Sequence, residues 1–460
     1  MAFLGVEEYI FCMASVRLSA SDHEFFATLA DVVYGNAFAE NRMEVIGRLV
    51  PGAKPEELIK DQGALARVVM PRLEPFLGAG GMHSPGLSDA DRRLLEPAFL
   101  YVCYQRAVPQ LDALIERQAG KGGDALPVPF ADEVIADLMR CGFDEERALR
   151  YFGLFFQLRR GFYFISLGLA GQCLSMRRLR EALWNNIFTH DMRGFEAALW
   201  SRMEDFSTLL LGETGTGKGA VASAIGRSGF IPYDRGRRRF AANFTETFIA
   251  INLSQFPESL IESELFGHRK GAFTGAIDHH EGVFERCDAH GALFLDEIGE
   301  VSIPVQIKLL QVLQERTFTP VGSREHQRFG GRVIAATNQP IGSLRREGRF
   351  RNDFFYRLCS DVIEVPTLRQ RISESGNELE LLVRRILLTG RYAGEIAPAP
   401  GGEDEALAGK LRAGELTADE LLARYCAMLY GRLGSYAEVA KRTGLDPRTA
   451  RKYVESAKSG

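Results

Sequence analysis

The chain predicts an α/β fold: a parallel sheet with flanking helices, preceded by an all-α region and followed by a small helical domain. Three observations predict it. Between about residues 183 and 371, β-type runs alternate with helical segments, the pattern of a parallel sheet covered by helices. A glycine-rich turn, Gly212-Glu213-Thr214-Gly215-Thr216-Gly217-Lys218, joins one such run to a helical segment. A second apolar run, Ala292-Leu293-Phe294-Leu295, ends in the acids Asp296-Glu297.

Composition sets the outer bounds. At 460 residues the chain is long enough for about three domains. A net charge of -4 and a pI near 6.2 give no global basic signal, so a nucleic-acid contact needs a local patch. The seven cysteines are too far apart in sequence for a zinc cluster or a redox pair, which fits free thiols in a reducing cytoplasm. The first residues, Met1 to Glu8, lack the basic end and apolar run of a secretory signal. The best membrane candidate, Phe162 to Ala170, falls well short of the roughly 20 apolar residues a span needs; it reads as a buried helix, and no membrane partner is expected.

Residues 1–182 show apolar positions at helical spacing, broken by Pro51-Gly52, Gly78-Ala79-Gly80-Gly81 and Gly120-Lys121-Gly122-Gly123. This predicts an all-α domain, to which a regulatory or sensory role is assigned only by the family resemblance given below. No phospho-acceptor receiver pattern is visible. In 183–371 the clearest strands are Thr208 to Leu211, Phe248 to Ile251, Leu293 to Leu295 and Val333 to Ala336. A stretch rich in Pro, Gly and acid, beginning Ala397-Pro398-Ala399-Pro400, reads as a linker over 397–414.

The glycine-rich turn has the GxxxxGK form. Glycines at 212, 215 and 217 let backbone amides turn toward phosphate oxygens, the following helix offers its positive N-terminus, and Lys218 supplies a point charge. Gly219 follows, where Ser or Thr usually holds magnesium, so Mg2+ rests more heavily on Asp296. Asp296 ends a buried strand and suits the metal; Glu297 suits orienting an attacking water.

These motifs, with Gly271-Ala272-Phe273-Thr274-Gly275-Ala276 between them, resemble the AAA+ ATPase domain of bacterial enhancer-binding proteins, the activators of RNA polymerase carrying sigma-54. The resemblance runs from about Leu183 to Arg371. It implies a P-loop parallel sheet, ATP as ligand, and contact of Gly271 to Ala276 with sigma-54, chiefly through Phe273 and Thr274. It implies that Asn252 holds the catalytic glutamate and that Thr337 and Asn338 sense the γ-phosphate. Arg351 and Arg357 match arginines that reach a neighbouring subunit's ATP, which requires a ring, expected to be a hexamer.

The pattern departs after Arg371. Ser375-Gly376-Asn377-Glu378-Leu379-Glu380-Leu381 arrives almost at once, with Leu379 where the family's sensing arginine would stand. Residues 372–396 therefore read as a shortened lid.

The end of the chain, 415–460, resembles a Fis-type helix-turn-helix. Thr417 with Glu420 and Ser435 with Glu438 form capping boxes, Asp446 and Pro447 suit the start of a third helix, and Leu421, Leu422, Tyr425 and Leu429 share one face. Ala450, Tyr453, Val454 and Ala457 form that third helix's buried stripe. Arg448, Thr449, Arg451 and Lys452 project away from it toward upstream DNA. From Arg432 to Lys458 seven basic residues face three acids, a local +4.

Two features are set aside. His279-His280 has no matching Cys or carboxylate spacing and reads as a polar loop, and the cluster Phe152, Phe155, Phe156, Phe162 and Phe164 fits core packing or a ligand cavity equally. The leading expectation is a cytoplasmic sigma-54-dependent regulator with ATPase activity. A nucleotide-gated DNA-binding regulator with weak or no hydrolysis is the alternative, followed by an AAA+ remodeller of another protein.

Overall fold

The computed structural model describes residues 17–53, 58, 63–273 and 276–389, and toward the C-terminus 423, 425–427, 429–430, 435–443 and 446–458. The expected linker, the Thr417–Glu420 box, Leu421, Leu422, and Thr274 and Gly275 of the hexapeptide lie outside these residues.

Five parallel strands form the central sheet: β1 (Thr208–Leu211), β2 (Phe248–Asn252), β3 (Ala292–Asp296), β4 (Arg332–Thr337) and β5 (Asp361–Glu364), in the order β2-β3-β4-β1-β5. Successive side chains of a strand alternate between faces. Leu210, Phe294, Ile334 and Ile363 enter one apolar core, and Leu209, Leu293, Leu295 and Val333 the other. Both faces are covered, so these strands read as continuous apolar runs. The edge strand β5 has no such signal, because its sequence, Asp-Val-Ile-Glu, offers only two apolar residues, of which Val362 is exposed.

The helical half contributes α1 (Ala20–Tyr34), α2 (Asp89–Ala119), α3 (Glu145–Gly168) and α4 (Leu174–Phe188). Ser19 with Asp22 and Ser88 with Asp91 close reciprocal capping boxes that fix the starts of α1 and α2. The boundary expected between 182 and 183 falls inside α4. The helical half does not fold away from the sheet either: its apolar residues and one face of the sheet form a single core. Among the described residues no helix is long and apolar enough to cross a membrane; Phe162 to Gly168 end the buried helix α3, as expected.

Helix α5 (Lys218–Gly226) follows the glycine-rich turn and packs against α3. Gly153 and Gly161 of α3 let neighbouring rings lie close, since a Cβ at either would come within 2.9 Å of Phe230, which follows α5, or of Phe188, which ends α4. Arg160 of α3 is fully buried and donates to the carbonyls of Arg227 and Gly229, each at 2.7 Å. A cation at a helix C-terminus is favoured by the helix dipole, and burial alone pulls this guanidinium down to about 9. Gln157, one turn earlier, donates to the Ser228 carbonyl at 3.0 Å.

The second core, on the other face, takes Val305 and Leu309 from α6 (Ile303–Glu315) and Phe354 and Leu358 from α7 (Asn352–Leu358). Helix α8 (Glu378–Thr389) lies beyond the edge strand in sequence.

One sequence expectation changes here. Cys103 and Cys141, 38 positions apart, meet with sulfurs 3.7 Å from each other in the helical core, a proximity created by folding alone. The C-terminal helices α9 (Tyr436–Thr443) and α10 (Pro447–Lys458) pack around Cys426, Leu429, Val439, Ala440 and Val454. Of the predicted stripes, Leu429 and Val454 are buried and Tyr425 and Tyr453 half-buried; the side chains of Ala450, Ala457 and Glu438 lie outside the described residues.

Candidate functional site

The glycine-rich turn leaves β1 and enters α5. Gly215 and Gly217 take φ of 83° and 96°, backbone that a side chain would strain. Lys218 is buried, and its ammonium donates to the turn's own carbonyls, Gly212 at 2.9 Å and Glu213 at 3.2 Å. The ammonium is thereby held inside the curl, where a phosphate oxygen is its natural replacement partner. Gly219 has no packing reason to be glycine: a Cβ there meets nothing within 4 Å.

Asp296 ends β3 beside this turn. Burial raises its pKa, opposed by the Glu297 amide and the Lys218 charge. Glu297 takes the left-handed backbone (φ 56°, ψ 46°), which costs a non-glycine residue about 1–2 kcal/mol. Its N–H donates to Asp296 Oδ1 at 3.0 Å, and its carboxylate accepts the Asn338 N–H at 3.3 Å. Asn338 Nδ2 in turn donates to Thr214 Oγ1 at 2.8 Å. Glu213 and Thr216 complete the turn through a Thr216 Oγ1 donation to the Glu213 carbonyl at 2.9 Å. Thus residues from the ends of β1, β3 and β4 meet, although they lie far apart in sequence. A curl of amides, a buried cation and an adjacent carboxylate fit a nucleotide phosphate with its divalent cation.

Three further expected residues make other contacts within this chain. Asn252 sits in register with Asp296, but its side-chain oxygen accepts from Ser254 N (3.0 Å) and Ser254 Oγ (2.7 Å). It caps the turn Leu253–Gln255 and makes no hydrogen bond to Glu297. Arg357 directs Nε and Nη2 to the Leu313 carbonyl at 3.0 and 2.8 Å, capping the C-terminal end of α6. Arg351 precedes α7 and pairs with Asp353 at 2.6 Å on the surface.

One residue of the site carries no sequence signal. A depression of about 460 Å³ adjoins the turn, walled by Gly212, Glu213 and Val365 and, from the helical half, by Ser175, Arg178 and Leu179 of α4. Arg178 is exposed and lines this depression together with Gly212 and Glu213. Nothing in the local sequence marks it, because its approach depends on how α4 packs beside β5. The expected sensor position, Leu379, is half-exposed on α8. That segment is anchored to the helical half: Glu378 accepts from the backbone of Gln172 and Cys173 and pairs with Arg371 at 2.8 Å.

The hexapeptide begins in a stem closed by His268 and His280, whose backbones exchange hydrogen bonds of 3.0 Å. Gly271 (φ 80°) donates to the Ala276 carbonyl at 2.8 Å, and Ala272 to Arg269 at 3.0 Å. Phe273 is 39% exposed, with its ring edge-on to His268 at 4.9 Å. Ile277, which its sequence context does not mark, is 75% exposed just beyond the hexapeptide. In the stem, Glu281 and Glu285 bring carboxylate oxygens within 4.8 Å of a ring nitrogen of His279, a grouping that sequence spacing does not reveal.

At the start of α10, Asp446 takes the expected capping place, its Oδ1 accepting the Arg448 N–H at 2.9 Å. Arg448, Arg451 and Lys452 are exposed and Thr449 half-buried. Arg451 pairs with Glu455 at 2.7 Å and lies over the Tyr436 ring.

Residues 192–364 match the Sigma-54 interaction domain family. The DNA-binding transcriptional regulator NtrC of Azospirillum brasilense is 45% identical over 183 residues, 40% of this chain and 34% of that protein. The Nif-specific regulatory protein of Azotobacter vinelandii is 39% identical over 240 residues, 51% of this chain and 39% of that one. The chain thus spans less than two-fifths of the length of these two relatives. NtrX from Brucella abortus in complex with ATP is 19% identical over 71% of this chain and 80% of that one, at a TM-score of 0.37.

Proposed function

We propose that this chain, through the sigma-54 interaction domain that residues 192–364 resemble, is an ATP-hydrolysing transcription regulator of sigma-54 RNA polymerase. The observation that carries the reading is the chain of contacts from Thr214 through Asn338 to Glu297, beside Asp296 and Lys218. It joins the phosphate turn to the carboxylate that would orient water.

In this reading the amides of Gly212 to Gly219 and the Lys218 ammonium hold the ATP phosphates, and Glu297 orients the attacking water. Asp296 would hold Mg2+, which would supply charge neutralisation at the phosphates. Arg178 serves as the cis arginine that Leu379 does not supply. Arg351 and Arg357 act on the ATP of an adjacent subunit in a ring, for which Arg357 must leave the Leu313 carbonyl. Phe273, Thr274 and Ile277 present the surface that meets sigma-54, and Arg448, Thr449, Arg451 and Lys452 contact upstream DNA.

A second reading, a nucleotide-gated DNA-binding regulator with little turnover, draws support from Gly219, from Leu379 and from the engagement of Asn252 with Ser254. ATP turnover measured against protein concentration, with Glu297→Gln as blank, separates the two. Cooperative turnover absent from the blank supports the ring ATPase; ATP binding without turnover moves the conclusion to the second reading.

A further inference from the structure

The helical half contains a cavity of about 460 Å³ between α1, α2, α3 and α4, within the size range of small-molecule sites. Its walls are mainly apolar, aliphatic and aromatic side chains together. Phe155 and Phe162, whose role the sequence leaves open, face it, while Phe152 and Phe164 are fully buried in the core. Phe38 stacks on Phe162 at 5.4 Å and meets Trp184 edge-on at 5.8 Å, and all three line the space.

The charges in these walls are not balanced alike. Arg159 is paired with Asp112 at 2.7 Å. Glu196 is satisfied by the hydroxyls of Tyr34, at 3.2 Å, and Tyr151. Arg42 differs: its Nη1 donates to the Val32 carbonyl at 2.8 Å, and among the described residues no carboxylate lies in ion-pair range. Enclosure lowers its pKa, and the ionisable groups bearing on it are the hydroxyls of Tyr101 and Tyr104. An enclosed guanidinium without a counter-charge is costly unless an anion meets it. Its remaining donors form a planar fork suited to a carboxylate.

We propose that this cavity binds an apolar monocarboxylate, its carboxylate on Arg42 with Tyr101 and Tyr104 beside it, and its hydrocarbon body against Phe155, Phe162 and Trp184. The site is independent of the sigma-54 reading. It is nonetheless physically joined to the sheet: Asn186, two residues after Trp184, donates to Thr208 Oγ1 at 3.0 Å and to Asp361 at 2.6 Å.

The chain contains two tryptophans, and only Trp184 lines the cavity. The full chain carrying Trp200→Phe is titrated with decanoate and 4-phenylbutyrate while Trp184 emission is followed, with 1-decanol as the uncharged control. The expected result is saturable binding of at least one acid, at least tenfold weaker binding of the alcohol, and at least a tenfold loss for the acid in Arg42→Met. Ala37→Phe, which fills the cavity and keeps Arg42, should abolish binding with the circular dichroism spectrum unchanged. Failure of both acids to bind would overturn the proposal, as would equal binding of decanoate and decanol or an undiminished affinity in a folded Ala37→Phe protein.

Discussion

Asn338 donates through its side-chain amide to the Thr214 hydroxyl at 2.8 Å, so the end of β4 is fastened to the phosphate turn after β1. The same residue's backbone N–H reaches Glu297. Asn338→Ala removes the side-chain link but keeps the backbone one. A hydrogen bond between two neutral groups contributes about 0.5–1.5 kcal/mol, so ATP turnover is expected to fall roughly 2- to 10-fold with a smaller change in KM. Steady-state kinetics checks this, and an unchanged kcat with a raised KM would make Asn338 a binding group instead.

Gly219 occupies a helical position facing open space. Gly219→Ser should therefore be accommodated, with a helix-propensity gain of about 0.5 kcal/mol. It also returns a hydroxyl to the place where phosphate loops commonly hold magnesium. Thermal unfolding should show no loss of stability, and the Mg2+ concentration for half-maximal turnover should decrease. A destabilised protein would mean that the glycine is needed by the backbone.

The two arginines of the Gly348–Leu358 segment separate by their surroundings. The Arg351 side chain pairs with the exposed Asp353, so Arg351→Ala should leave stability essentially unchanged while removing turnover. Arg357 caps α6 through Leu313, and Arg357→Ala should cost roughly 1–2 kcal/mol as well. Urea unfolding of both variants tests the contrast.

The pair Arg371–Glu378 is buried. Burial pushes the Glu378 carboxyl up, but the amides of Gln172 and Cys173 and the Arg371 charge outweigh it, and the folded pKa lies below the ordinary 4.5. A depressed carboxyl adds stability that is complete above its unfolded pKa and is lost as pH falls through the folded value. Wild-type stability should thus decline below about pH 4.5 more steeply than that of Glu378→Gln. At neutral pH, Glu378→Ala should cost about 3–5 kcal/mol, because it leaves Arg371 buried and unpaired. Equal pH profiles for wild type and Glu378→Gln would remove Glu378 from the acid response.

The sequence makes much of this molecule legible, and the reasons for the remainder are physical. Four strands and the phosphate turn are readable because burial on both faces leaves long apolar runs, and because glycine at 215 and 217 answers a backbone demand. Asp296 and Glu297 are readable because acids ending a buried strand are costly without a task. The role of Asn252 is not, since a strand-end amide can turn to its own chain, as it does toward Ser254. Arg178, Arg42 and the Cys103–Cys141 contact are invisible for another reason: each depends on helices meeting across long stretches of chain, which leaves no local pattern.

The burial of Arg160 and Gln157 against the end of α5 has a consequence for how such a protein can change its input. An independent sensor can be exchanged like a cassette, joined at a hinge and judged on its own. Here the helices that would carry the input are also the scaffolding of the nucleotide-binding turn. A transplanted sensor would have to bring its own buried cation to the end of that helix, so neither half can be replaced without refitting the other.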